Sequence, residues 1–346
     1  MVISRTNFIK IAGLAGAGLL FGSQIKGSLV SLQQELPSLM IDKNGNPVNS
    51  LSEWMEQRKS IVERWSNYLG ILDPNPVPPK LRILKEEVTD GLIRQFIEYE
   101  GEPGIFVKAY LLKPQKITKP LPGAVALHST SDRQMLFISG AEKGNIVALG
   151  YNLALRGFVV ICPMCFLNHD RGDRTSVQQV EQFQMRHPRS KGMAKMLFDA
   201  QRAVDVLEGL KEVDKERIGA LGHSLGGKEA FYLGAFDERV KAIVSNEGGI
   251  GIDFSNWEDP WYLGNEIHNF NHQHHELLAL CAPRHFLLIG GDSADGKISI
   301  PYIEAVSPVY KLYGKPRNIK LFNHGQGHSI APNAEKLTYK WMVRHL

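Results

Sequence analysis

The pattern that most constrains this chain is an alternation that begins near residue 121. Short, continuously apolar runs (123–128, 158–162, 217–221, 240–245, 285–289 and 319–322) alternate with helical patterns at 142–156, 192–210, 227–235, 301–313 and 333–345. The helix 192–210 is the most periodic, with Met193, Met196, Leu197, Ala200, Val204, Leu207 and Leu210 on one face. A strand without a polar face must be buried on both sides, and strands joined through helices run parallel. Two further strand-like stretches lie near 92–100 and 105–112. The expectation is an α/β chain with a mostly parallel eight-stranded sheet and helices on both faces. Ahead of it, residues 48–70 have helical periodicity through Leu51, Trp54, Met55, Ile61, Trp65 and Leu69, followed by the Pro-rich connector 73–79.

The first thirty residues follow other rules. Arg5 and Lys10 precede an apolar run from Ile11 to Phe21, and no acidic residue occurs before Glu35. That is the layout of an export signal, and the run is too short for an ordinary spanning helix. Residues 4–10 resemble a twin-arginine signal with Thr6 in place of the second arginine. Residues 1–26 are therefore expected to be a signal peptide. The remainder would be periplasmic or extracellular, with no stable membrane anchor once the leader is cleaved. The whole chain has 40 Lys+Arg against 36 Asp+Glu, and the leader takes Arg5, Lys10 and Lys26 with no acid, leaving about +1. So small a surplus is no footprint for nucleic acid. Three cysteines do not make a disulfide framework.

The segment that carries chemistry is Gly222-His223-Ser224-Leu225-Gly226, which follows an apolar strand and opens a helix. A serine on a tight strand-to-helix turn needs small neighbours, and Gly222 and Gly226 supply them. Ser224 is the expected nucleophile. The base is expected after the last strand, where His328 is favoured over His324. The acid is expected in the loop after 285–289, where Asp295 is favoured over Asp292; Glu247, after 240–245, is a third candidate, as the acid, a substrate contact or a turn cap. For the oxyanion, one backbone N–H is expected from Leu225 and another from Thr130, with Ser129 the alternative.

Residues 217–227, with the helix end and apolar strand 153–160 and the segment 275–284, resemble the α/β-hydrolase superfamily, in its dienelactone hydrolase and acetyl xylan esterase-like branch. The resemblance spans about residues 80–346 and implies the α/β-hydrolase fold. With the leader read above, the chain is expected to divide into a signal peptide (1–26), a helical extension with connector (27–80), of which 48–72 resembles that of secreted members, and a catalytic domain (81–346), with 247–275 a candidate cap insertion. The resemblance also implies a serine esterase that cleaves carboxylic esters through an acyl-enzyme without a cofactor, on a small-molecule or carbohydrate ester. Rival readings are a prolyl-oligopeptidase-type peptidase, for whose propeller the chain is too short, and a non-catalytic carbohydrate-binding protein.

Other features have plainer readings. Trp257 and Trp261 are candidates for stacking on sugar rings, with core packing the alternative. Cys162 and Cys165 read as structural or substrate-lining rather than redox-active, and Cys281 as a buried thiol. His268, His272, His274 and His275 lack a completing ligand set, so no metal site is expected.

Overall fold

The computed structural model describes residues 36–73, 77–131, 133–144 and 147–346. The expected leader lies outside them. Helix α1 (Leu51–Leu69) starts at Ser50, whose side chain and that of Glu53 cap each other's backbone, and stops at Gly70 in the left-handed region. An antiparallel meander follows: β1 (Leu81–Thr89), β2 (Leu92–Glu100) and β3 (Phe106–Pro114). The alternating part comprises β4 (Leu121–Leu127), α2 (Gln134–Ile138), α3 (Leu149–Ala154), β5 (Val159–Pro163), α4 (Ser176–Arg186) and α5 (Gly192–Gly209). It continues through β6 (Val213–His223), α6 (Leu225–Phe236), β7 (Val240–Asn246), α7 (His275–Leu280), β8 (His285–Gly290), α8 (Ile300–Leu312), β9 (Ile319–Asn323) and α9 (Pro332–His345).

Among the described residues nine strands form one sheet, in the order β1-β2-β3-β5-β4-β6-β7-β8-β9, and it is parallel from β5 to β9. The α/β expectation holds, with one strand more than the eight expected. The additional strand is β1, an edge strand whose Arg82 to Glu86 are exposed. An edge strand pairs on one side only and needs no apolar signature. Helix α4 also escaped the periodicity reading. Of the helix expected over 142–156, only α3 forms, beginning after Ala148, whose ψ of 66 is not helical.

Both sheet faces are covered. On one, Trp54, Ile61 and Trp65 of α1 join Met193, Leu197 and Val204 of α5 and Phe231 of α6 in a single core. On the other, Leu149 and Leu153 of α3 pack with Trp341 and Met342 of α9. Residues 247–275 feed the first core through Ile250, Ile252, Trp257, Tyr262 and Ile267. Trp65 also donates its Nε1–H to Glu276 at 2.7 Å, so the helical extension is held by a buried hydrogen bond as well as by packing.

Candidate active site

The parallel strands β4, β6, β7 and β8 all end on one edge of the sheet, the place where ligands bind in such folds. Strand β6 runs straight into Ser224, which adopts φ 59 and ψ −120 before α6 begins. A non-glycine residue in that region is strained, and such strain needs a surrounding structure that enforces it. Here a Cβ on Gly222 would strike the backbone of Gly226, and one on Gly226 would strike the carbonyl of Leu127. Strand, turn and helix therefore cross at a separation only glycine permits. The Ser224 N–H is fixed by the Asn246 carbonyl at 2.9 Å.

His328, in the loop between β9 and α9, places Nε2 2.8 Å from Ser224 Oγ. Its other ring nitrogen, Nδ1, lies 3.0 Å from Oε2 of Glu247. Glu247 follows β7 at φ 50, and its side chain is 0% exposed. The carboxylate accepts the amides of Gly291 and of Ala294, the latter at 2.7 Å. Burial pushes its pKa up, but the bonds from His328, Ala294 and Gly291 outweigh this and hold it below the ordinary glutamate value. Glu247 is thus kept ionised and aimed at the imidazole.

The favoured acid, Asp295, is a correction. It is completely buried, and its carboxylate accepts the amides of Gly249 at 2.6 Å and Ile250 at 2.8 Å and the Ser299 hydroxyl at 2.8 Å, while the His328 ring bonds Glu247 instead. Burial raises its pKa to about 6. Its work is to join the loop after β8 to the loop after β7. Asp292, at φ 62, accepts the Lys297 amide at 3.0 Å and the Asn323 side chain at 2.7 Å, which makes it a turn residue. His324 accepts the Gln326 amide through Nδ1 at 3.1 Å, whereas the hydrogen bond to Ser224 Oγ comes from His328.

Leu225 is the first residue of α6, so its amide lies at the positive end of the helix dipole beside Ser224. Thr130 is exposed in the loop that leaves β4. Ser129, the alternative, turns its hydroxyl onto His223, with Oγ 3.0 Å from Nδ1 and 2.9 Å from the backbone oxygen.

The stacking role expected of Trp257 is also corrected. The ring is 0% exposed and donates to the Gly249 carbonyl at 2.7 Å. Trp261 is half-buried and packs against the core. Trp257 therefore belongs to the core, whereas Trp261 keeps part of its side chain at the surface. Lys228, one turn into α6, was not singled out from sequence. It is buried, bonds Ser255 Oγ at 2.7 Å and sits 3.8 Å over the Trp257 ring. Burial lowers its pKa to about 7. The signal was present: Lys228-Glu229 is a charged pair inside an otherwise small and apolar helix.

Three of the four clustered histidines already have partners. His272 meets Glu276 at 3.0 Å, His274 meets Ile250 O at 2.9 Å and Tyr232 at 2.8 Å, and His275 meets Pro37 O at 2.9 Å. Cys162, Cys165 and Cys281 are buried free thiols.

A mostly parallel sheet clad on both faces, with a serine on a glycine-flanked elbow and a histidine and an acid after later strands, defines the α/β-hydrolase architecture. Residues 107–335 match the dienelactone hydrolase family, and the chain belongs to it. Among curated proteins, it is 28% identical to YtaP of Bacillus subtilis over 46% of this chain and 52% of that one, so it spans about half of that relative's length. It is 23% identical to the 4-O-methyl-glucuronoyl methylesterase of Phanerochaete carnosa, over 88% of this chain and 79% of that one. Among solved structures, the glucuronoyl esterase of Solibacter usitatus superposes with a TM-score of 0.71 at 19% identity, covering 90% of this chain and 97% of that one.

Proposed function

We propose that the protein is an exported serine hydrolase that cleaves carboxylic esters on carbohydrates through a Ser224–His328–Glu247 triad. The observation that carries this reading is the continuous line of hydrogen bonds from Ser224 Oγ to His328 Nε2 at 2.8 Å and from His328 Nδ1 to Glu247 at 3.0 Å. Ser224 Oγ attacks the acyl carbon while His328 takes its proton. The negative charge that forms on the carbonyl oxygen is met by the Leu225 and Thr130 amides. His328 then protonates the leaving alkoxide, and the alcohol departs from the acyl-enzyme. Water attacks next, giving its proton to His328, and the acid leaves as that proton returns to Ser224.

Two observations support a large, sugar-borne substrate. Ser224 is only partly buried and the His328 side chain is 43% exposed, so the nucleophile and base are open to solvent while Glu247 is buried behind them. Two relatives that match across most of the chain carry the names of glucuronoyl esterases. Export rests on the leader-like residues 1–26. Among the described residues no helix is long and apolar enough to cross a membrane.

The test is turnover of p-nitrophenyl acetate, acetylated xylan, methyl glucuronates and short peptides by the wild type and by Ser224→Ala. The reading expects ester hydrolysis that Ser224→Ala abolishes, and no peptide cleavage. Peptide cleavage, or a wild type inert to every ester and unlabelled by a fluorophosphonate, would reject it.

A further inference from the structure

We propose that His128 and the pair Ser129–His223 are positioning residues that hold the Thr130 amide in place for the oxyanion; this rests on the ester-hydrolase reading above.

The first anchor is His128. The backbone N–H of Cys165 lies 2.9 Å from His128 Nε2. An amide N–H can only donate, so Nε2 is bare and the ring proton is on Nδ1. Nδ1 is 2.6 Å from the Ser129 carbonyl oxygen, to which it therefore donates. That carbonyl belongs to the same peptide unit as the Thr130 N–H. The unit is planar and trans, so fixing the direction of the C=O fixes the opposite direction of the N–H. His128 thus aims the Thr130 amide without touching it. Cys165, just past the end of β5, acts here through its backbone amide rather than its thiol.

The second anchor is the Ser129 side chain. Its Oγ lies 2.9 Å from the His223 carbonyl and 3.0 Å from His223 Nδ1. The hydroxyl has one proton, and a carbonyl can only accept. The proton goes to the carbonyl, and His223 Nδ1–H donates back to Oγ. His223 Nε2 is then a bare nitrogen, buried and without a hydrogen-bond partner among the described residues, a state that suits a neutral ring. Burial, with His328 nearby, holds the His223 pKa down to about 4, which keeps it neutral. Because His223 immediately precedes Ser224, this two-bond clamp ties the loop after β4 to the nucleophile itself. The peptide between Ser129 and Thr130 is held at its carbonyl by one imidazole and at its side chain by the other. Preorganised donors are what make an oxyanion site effective, because nothing has to reorient as charge develops.

The test compares the full-length wild type with Ser129→Ala, Ser129→Thr, His128→Asn and His128→Phe on p-nitrophenyl acetate, with rates normalised to sites titrated by a fluorophosphonate. Binding of an alkyl boronic acid, which forms a tetrahedral adduct on serine, is measured alongside. Loss of one oxyanion donor typically costs about 100- to 1,000-fold in kcat, and a misaimed donor should cost less, about 10- to 100-fold. Ser129→Ala and His128→Phe are expected to show that loss in kcat with KM little changed, and weaker boronate binding. Ser129→Thr keeps the hydroxyl, and His128→Asn keeps a donor near the Nδ1 position; both should recover most of the rate. Wild-type kcat per titrated site in Ser129→Ala and His128→Phe would overturn the inference, as would losses confined to KM or to the fraction of folded sites. If His128→Phe does not fold, the Ser129 pair still decides. An inactive wild type would instead reject the ester-hydrolase reading on which the inference rests.

Discussion

Replacing Glu247 by glutamine separates the two carboxylates that compete for the triad. The Glu247 carboxylate accepts from Gly291, Ala294 and His328, so both its oxygens face donors. A glutamine side chain must turn its NH2 toward one side or the other. Facing His328 and Ala294, it forces the imidazole to accept at Nδ1, which moves the ring proton to Nε2 and removes the base from Ser224. Facing Gly291, it preserves the tautomer but sets two N–H donors against each other in a buried site, at about 1–3 kcal/mol. Either way the imidazolium formed during attack loses its buried counter-charge. The expected loss in kcat is about 100- to 10,000-fold, or about 3–5 kcal/mol of transition-state stabilisation. Asp295→Asn is the control, because Asp295 bonds Gly249, Ile250 and Ser299 instead of His328. It should lower stability and leave kcat per active site within a few fold. The assay is p-nitrophenyl acetate hydrolysis normalised to fluorophosphonate-titrated sites. Wild-type kcat in Glu247→Gln, or collapse in Asp295→Asn alone, would refute the reasoning.

Asp295 also predicts a pH dependence of stability. Its folded pKa, about 6, exceeds the ordinary 3.8, so the native state holds the proton more tightly between those values. Its contribution to stability is largest below that window and is lost as pH rises toward 6; urea midpoints against pH should show this slope in the wild type and not in Asp295→Asn. Lys228 has the opposite sign: its pKa falls to about 7 from 10.5, so the unfolded chain binds more protons across that interval and the Lys228 contribution rises with pH. Lys228→Met should flatten the alkaline limb in the same urea series. Trp257→Ala should cost about 3–5 kcal/mol by opening a cavity in the core, read from the urea midpoint. The KM of folded Trp257→Ala enzyme should stay unchanged, since the ring is buried.

The parts of this structure that were legible in the sequence are those whose local chemistry admits one solution. The glycines of 222–226 leave room for a strained serine, and the continuously apolar strands require a doubly covered sheet. The acid was less legible because the loop order gives no direction for a side chain. Strand β7 pairs with β6 so that Asn246 lies opposite His223, which sets Glu247 level with Ser224. Asp295 is later in the chain, in the loop where the acid was expected, but its segment curls inward to cap the amides of Gly249 and Ile250. Trp257 misled for a related reason: a tryptophan among polar neighbours suits a binding loop and a buried wall equally, and only the Gly249 carbonyl that receives its N–H decides between them. The His128–Ser129–His223 frame spans three segments far apart in sequence, and no pattern within one segment encodes it.

The central claim is that Ser224 carries the acyl group. The direct measurement is an acid quench of enzyme mixed with excess p-nitrophenyl acetate, followed by mass spectrometry of the digested chain. The account predicts an acetyl increment on the peptide containing Ser224, accumulating further in a variant slowed in deacylation and absent from Ser224→Ala. Steady turnover with no increment on that peptide, or an increment that persists in Ser224→Ala, would contradict it.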